Sequence, residues 1–165
     1  MKSRIAKTLT FAALVASLAA CSSVPLDEKG GQGTGTGGMT STGSGPVMDP
    51  FNPSSPLAQQ KSVFFDYDSY TVNPQYSDLV KMHSDYVAGH ANQRVRLEGN
   101  TDPRGSAEYN LALGTRRGNA VADQMKLNGV NASQIEVVSF GKEHATGKDE
   151  ASWAQDRRVD INYLR

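Results

Sequence analysis

Arg117 stands in a row whose spacing belongs to a core. Leu113, Arg117, Val121 and Met125 fall four apart within LALGTRRGNAVADQM, so on a helix they form one stripe, and three of the four are apolar. A guanidinium on a core-facing stripe is costly to bury unless partners meet its donors. Within the chain, Asp102 in the turn TDPRGS and Asp68 at the end of SVFFDYD could each pair with it. A ligand's anion is the other option. Asp102 also suits a turn in its own right before Pro103, and Asp68 could cap a loop. Arg116 points away from the stripe and reads as a solvated neighbour.

Other chemistries find less support. His83 and His90 lie seven apart, but no HExxH and no converging His/Asp/Cys set accompanies them, which argues against a zinc hydrolase. GKEHATGKD at 141–149 has five residues between its glycines where a phosphate loop has four, and Asp where a hydroxyl must meet magnesium. GGQGTGTGGMTSTGSGP is followed by no Gly-Lys-Ser/Thr and preceded by no strand. NAS at 131–133 has glycosylation spacing and reads as the start of a turn. No Ser or Cys has an evident base partner, and the sequence calls for neither metal nor cofactor.

The elements that must position Arg117 alternate in type. SVFFDYD is a short β-rich run; NPQYSDLVKMHSDYVAGH offers Asn73 as N-cap, Pro74 at the first helical position and an inward row Tyr76, Val80, His83, Val87, with His83 half-buried. QRVRLEG alternates with Val95 and Leu97 inward. Ser106 can cap the next helix, which runs to about Asn128 and stops at Gly129. QIEVVSFG is a strand, and DEASWAQ a short helical turn packed by Trp153. RRVDINYL is a strand with Val159, Ile161 and Tyr163 on one face. The order β-α-β-α-β-(α)-β predicts a mixed α/β domain, an α+β sandwich with helices packed on one face of a four-stranded sheet. Strand order does not follow from spacing.

At 165 residues, one compact domain is expected once non-globular parts are set aside. Lys2, Arg4 and Lys7 precede the apolar run LTFAALVASLAA, too short for a bilayer, which needs about 20 residues, so residues 1–20 read as an export signal. LAAC resembles the lipobox of bacterial lipoproteins, in which the signal is removed before the cysteine, here Cys21, and that residue is lipidated. Cys21 is the only cysteine, so no disulfide competes for it. Ser22 rather than Asp after it favours the outer membrane. Residues 21–60 are Gly/Ser/Pro-rich and read as a flexible linker spanning roughly 35 Å on average; residues 61–165 form the domain. Removing the signal leaves 14 basic against 17 acidic residues, so no global field draws the protein to nucleic acid.

Over residues 62–164 the segments VFFDYDSYTVNP, LEGNTDPRGSAEYNLALGTRRGNAV, VVSFGKE and AQDRRVDI resemble the OmpA-like peptidoglycan-binding domain. Asp102, Asn110 and Arg117 keep offsets of eight and seven, which requires strand end, turn and helix all to hold their lengths. The resemblance implies a domain that holds the diaminopimelate residue of a peptidoglycan stem peptide, whose free end carries an ammonium and a carboxylate on one carbon. It assigns the ammonium to Asp102 and the carboxylate to Arg117, in a fork-to-fork geometry that Lys cannot copy. Asp68 and Arg157 match further site positions, although Arg157 could be an ordinary arginine at a strand start. Asn110 would offer its amide, while Thr101, Arg104 and the helix N-terminal amides complete a rim. Asn100 replaces the usual His.

The resemblance further implies a non-enzymatic outer-membrane lipoprotein, lipid-anchored with its domain in the periplasm, tethering membrane to cell wall within a Tol-type system and exchanging with that system's periplasmic propeller protein. A lipoprotein using the fold mainly for protein contacts, or a peptidoglycan-processing enzyme, is the alternative. A flagellar-stator-like anchor shares the domain but requires a spanning helix before it. The ligand assignment expects Arg117→Ala and Asp102→Ala to weaken binding with little change in thermal stability.

Overall fold

The structure, a computed structural model, describes residues 48–165. The signal segment, Cys21 and the linker through residue 47 lie outside the described residues. Along the described chain run α1 (Pro56–Gln59), β1 (Ser62–Phe64), a 3-10 turn (Pro74–Tyr76), α2 (Ser77–Gly89), β2 (Arg94–Asn100), α3 (Ala107–Leu127), a second 3-10 turn (Ala132–Gln134), β3 (Ile135–Gly141), α4 (Glu150–Asp156) and β4 (Arg158–Leu164). The expected alternation is present, with α1 added in front.

The four strands form one sheet in the order β1-β4-β2-β3. β4 runs antiparallel to both neighbours, and β2 and β3 are parallel, joined through α3. Period-two alternation decides which face is covered: Val63, Val95, Leu97, Val159 and Ile161 point to the helices and are buried. Against them pack Val80 and Val87 of α2 and Val121, Ala122 and Met125 of α3. The helix row read from the sequence is therefore a core row, and Arg117 on it is fully buried with them.

Local signals account for the ends of the site-bearing elements. Ser106 caps α3 by accepting from the Tyr109 amide at 3.1 Å, and Gly129, at φ 95°, ends it. Asn73 caps the 3-10 turn of Pro74–Tyr76, so the regular helix starts later, at Ser77. α3 can lie against β2 only because both contribute glycine at the crossing. A Cβ on Gly99 would sit 2.1 Å from the Gly114 carbonyl oxygen, and one on Gly114 would sit 2.2 Å from Ser139 Oγ. This close crossing brings Arg117, one turn further along α3, to the end of β2.

Two readings from sequence change. His83 is fully buried rather than half-buried: one ring nitrogen lies 2.8 Å from the Tyr163 hydroxyl and the other 2.7 Å from the Gln60 carbonyl. Residues assigned by composition to the linker include ordered ones: Ser55 caps α1, Leu57 is buried, and Phe51 meets the Tyr163 ring edge-on at 6.4 Å. Pro and Ser at 53–56 supply a turn and a helix N-terminus here, which composition alone does not separate from a tether.

Candidate functional site

Arg117 finds its partners in the backbone. Nε donates to the Ser69 carbonyl at 2.8 Å, one terminal nitrogen to the Asn100 carbonyl at 2.9 Å and the other to the Asp66 carbonyl at 3.1 Å. The guanidinium also lies 5.2 Å from the centre of the Phe65 ring. Burial pushes its pKa down to about 10, with the neighbouring Arg157 adding to the fall and Asp102 opposing it. Neither Asp102 nor Asp68 forms an ion pair with it among the described residues. The alternative of an internal salt bridge to Asp102 or Asp68 gives way to a clamp: one buried cation ties the loop after β1, which carries Asp68, to the end of β2, which leads into Asp102.

Asp102 is held by two other arginines. Arg104 donates from its amide and from Nε to Oδ1, both at 3.2 Å, and from a terminal nitrogen to Oδ2 at 2.6 Å. Arg157 adds a bond to Oδ2 at 3.3 Å. Burial raises the Asp102 carboxyl pKa, but the bonds from Arg104 and Arg157 together outweigh it and hold the group below its ordinary value. Both arginines are fixed in turn. Arg104 is stacked between Tyr67 and Trp153, 4.0 and 4.3 Å from the ring centres, and lies 3.3 Å from Glu150. Arg157 is buried, bonds the Phe65 carbonyl at 3.1 Å and pairs with Glu150 at 2.9 Å.

In front of these groups lies a cavity of about 310 Å³. Asp102, Thr101 and Arg104 form one wall, Asp68 and Tyr67 another, and Asn110, Tyr109 and Leu113 of α3 a third, with Arg117 beneath. Asp68 is exposed, takes the left-handed conformation at φ 54° that Asp tolerates, and accepts a hydrogen bond from the Tyr109 hydroxyl. Both amide hydrogens of Asn110 are spent on carbonyls, Arg104 at 2.7 Å and Ser106 at 3.0 Å, so a ligand would meet its oxygen. Thr101 is buried and its hydroxyl donates to the Asp102 carbonyl at 3.1 Å.

Six of the seven residues expected from sequence therefore border one cavity: Asp68, Thr101, Asp102, Arg104, Asn110 and Arg117. Arg157 does not; it stands behind Asp102. Asn100 contributes its carbonyl to Arg117, while its side-chain amide bonds the Glu98 carbonyl at 3.0 Å. The sequence reading missed Tyr67 and Tyr109, which are exposed at the cavity's edge. Tyr109 sits three residues after the cap Ser106, and an aromatic there beside an acid-bearing turn was the one available signal.

The OmpA family model matches residues 64–158. The peptidoglycan-associated lipoprotein of Legionella pneumophila is 40% identical over 154 residues, 88% of each chain. That of Pseudomonas aeruginosa is 40% identical over 161 residues, 92% of this chain and 94% of that protein. A crystal structure of the peptidoglycan-associated lipoprotein from Burkholderia pseudomallei superimposes with a TM-score of 0.66 at 50% identity, covering 70% of this chain and 98% of that one.

Proposed function

The chain belongs to the OmpA family, and from that premise we propose that it is an envelope lipoprotein whose domain binds peptidoglycan in the cavity between α3 and the loops after β1 and β2. The observation that carries the reading is a single concave site in which exposed Asp68 and the half-buried Arg104 present opposite charges, above a buried Arg117 that fixes both loops. A zwitterion with an ammonium and a carboxylate on one carbon, as at the tip of a diaminopimelate stem peptide, matches that pairing of charges. The peptidoglycan with which the named relatives are associated supplies the ligand class. The action is equilibrium binding without turnover. Lipid on Cys21 would anchor the chain in the outer membrane, with the domain in the periplasm. Exchange with a Tol propeller protein would make the attachment reversible.

Cosedimentation with purified peptidoglycan sacculi tests this. The full-length chain in detergent should pellet with sacculi and be released by excess soluble stem peptide. Pelleting that stem peptide cannot compete, or none at all, would favour a fold used for protein contacts; release of soluble fragments over time would indicate an enzyme.

A further inference from the structure

Building on that reading, we propose that a second cavity, on the other side of the loop after β1, holds a sugar ring of the glycan strand from which the stem peptide hangs. This cavity, of about 260 Å³, lies between that loop, the 3-10 turn of Pro74–Tyr76 and α4. Its distinguishing feature is Arg157, which borders it and not the first cavity. Arg157 is 6% exposed, with Nε and one terminal nitrogen committed to the Phe65 carbonyl, Asp102 and Glu150. The other terminal nitrogen has no protein partner among the described residues and is not sealed from solvent, so its hydrogens are offered to the cavity. A free donor on a side chain this firmly held meets a ligand without first having to be ordered.

The rest of the lining selects the ligand class. Asp66, Thr71, Gln75 and Gln155 are exposed at the cavity, and their side chains make no protein hydrogen bond among the described residues. Half-buried Phe64 and Tyr76, with ring centres 6.4 Å apart, add apolar surface. Arg157 only donates, Asp66 only accepts, and the hydroxyl and the two amides do both. A simple anion would face Asp66, and a simple cation would face Arg157. A pyranose ring carries no charge, its hydroxyls both donate and accept, and its C–H face is apolar, so it uses every group present. A cavity of about 260 Å³ is also small beside sites for drug-sized ligands, which start at about 300 Å³, and suits one ring better than a peptide. The two cavities adjoin: Asp66 borders one and Tyr67 and Asp68 the other, and Arg157 of the second bonds Asp102 of the first at 3.3 Å. Three extended residues span about 10 Å, so a stem peptide with its tip in the first cavity can lay its sugar in the second.

Calorimetry on the full-length chain, in a detergent whose headgroup is not a sugar, tests this with two probes that share a tripeptide ending in diaminopimelate. One carries the disaccharide N-acetylglucosaminyl-N-acetylmuramic acid, and the other only the lactyl group that joins sugar to peptide. Wild type should bind the sugar-bearing probe about tenfold tighter. Gln75→Ala and Gln155→Ala should each cut that ratio about two- to threefold, and together bring it near unity. Both side chains are exposed, so thermal melts of the variants should match wild type. A wild-type ratio near unity, or a ratio that survives the double substitution, overturns the sugar site and leaves stem-peptide binding standing. Failure of wild type to bind either probe overturns the binding function, and the sugar site with it.

Discussion

Replacing Arg117 with Met keeps an unbranched stem reaching about as far as Nε, removes the donors, and leaves three carbonyls without partners. Hydrogen bonds from a charged group contribute about 2 kcal/mol each, so the bonds to Ser69, Asn100 and Asp66 amount to about 6 kcal/mol. Against this, the fold no longer has to bury a cation. The fall of the guanidinium from 12.5 to about 10 puts that penalty near 3 kcal/mol, present at every pH below about 10. The net loss is about 3 kcal/mol, which for a domain of this size lowers the melting temperature by about 12 °C. Scanning calorimetry of the full-length chain at neutral pH measures it. Arg117→Lys, with one ammonium that cannot reach all three carbonyls, should fall between. Stem-peptide affinity should drop in both variants, because the loops carrying Asp68 and Asp102 lose their common tie. A melting temperature for Arg117→Met within about 2 °C of wild type would show that the three bonds do not hold these loops, and the clamp would have to be abandoned. The expectation from sequence, weakened binding with an undisturbed fold, is the opposite result.

Three further outcomes follow from buried groups. Because Asp102 is held below its ordinary 3.8 by Arg104 and Arg157, the unfolded chain takes up its proton first as pH falls. Its stabilising contribution should be complete above about pH 4 and vanish through the lower, folded value; urea midpoints between about pH 5 and 2 should lose that part of their slope in Asp102→Asn. His83 is pushed below its ordinary 6.5 by burial, against the opposing bond to the Gln60 carbonyl, so stability should decline as pH drops from 6.5 toward the folded value. His83→Gln should flatten that decline, and an unchanged slope would mean the proton is taken up elsewhere. Leu57→Ala should cost about 2 kcal/mol or more by urea titration, since Leu57 is buried; a shift below about 0.5 kcal/mol would return residues 48–60 to the linker.

Which parts of this were legible in the sequence depends on how far apart the interacting groups lie. α3 could be read from end to end, because its cap Ser106, its apolar stripe and its stop at Gly129 are all local signals. The same stripe marked Arg117 as anomalous. What it could not reveal was the answer, since the accepting carbonyls belong to residues 48 and 51 positions earlier in the chain and to the end of a strand. Carbonyls carry no residue-type signature, so a guanidinium satisfied by backbone looks in sequence like one awaiting a carboxylate. Asp102 was found through its spacing, but its saturation by Arg104 and Arg157 depends on β4 returning beside β2. The Tyr109–Asp68 bond joins positions 41 apart, and an exposed tyrosine on a helix's first turn gives no hint of it. The 3-10 start at Pro74 and the ordered segment around α1 were missed for another reason: Pro, Ser and Asn open helices and fill tethers alike.

The most direct measurement is a calorimetric titration of the folded full-length chain with a diaminopimelate-ending stem peptide at two salt concentrations. A single saturable site whose affinity weakens as salt rises is what opposed charges at an open cavity require. A folded chain that gives no heat and no competition for sacculi would contradict the account at its root.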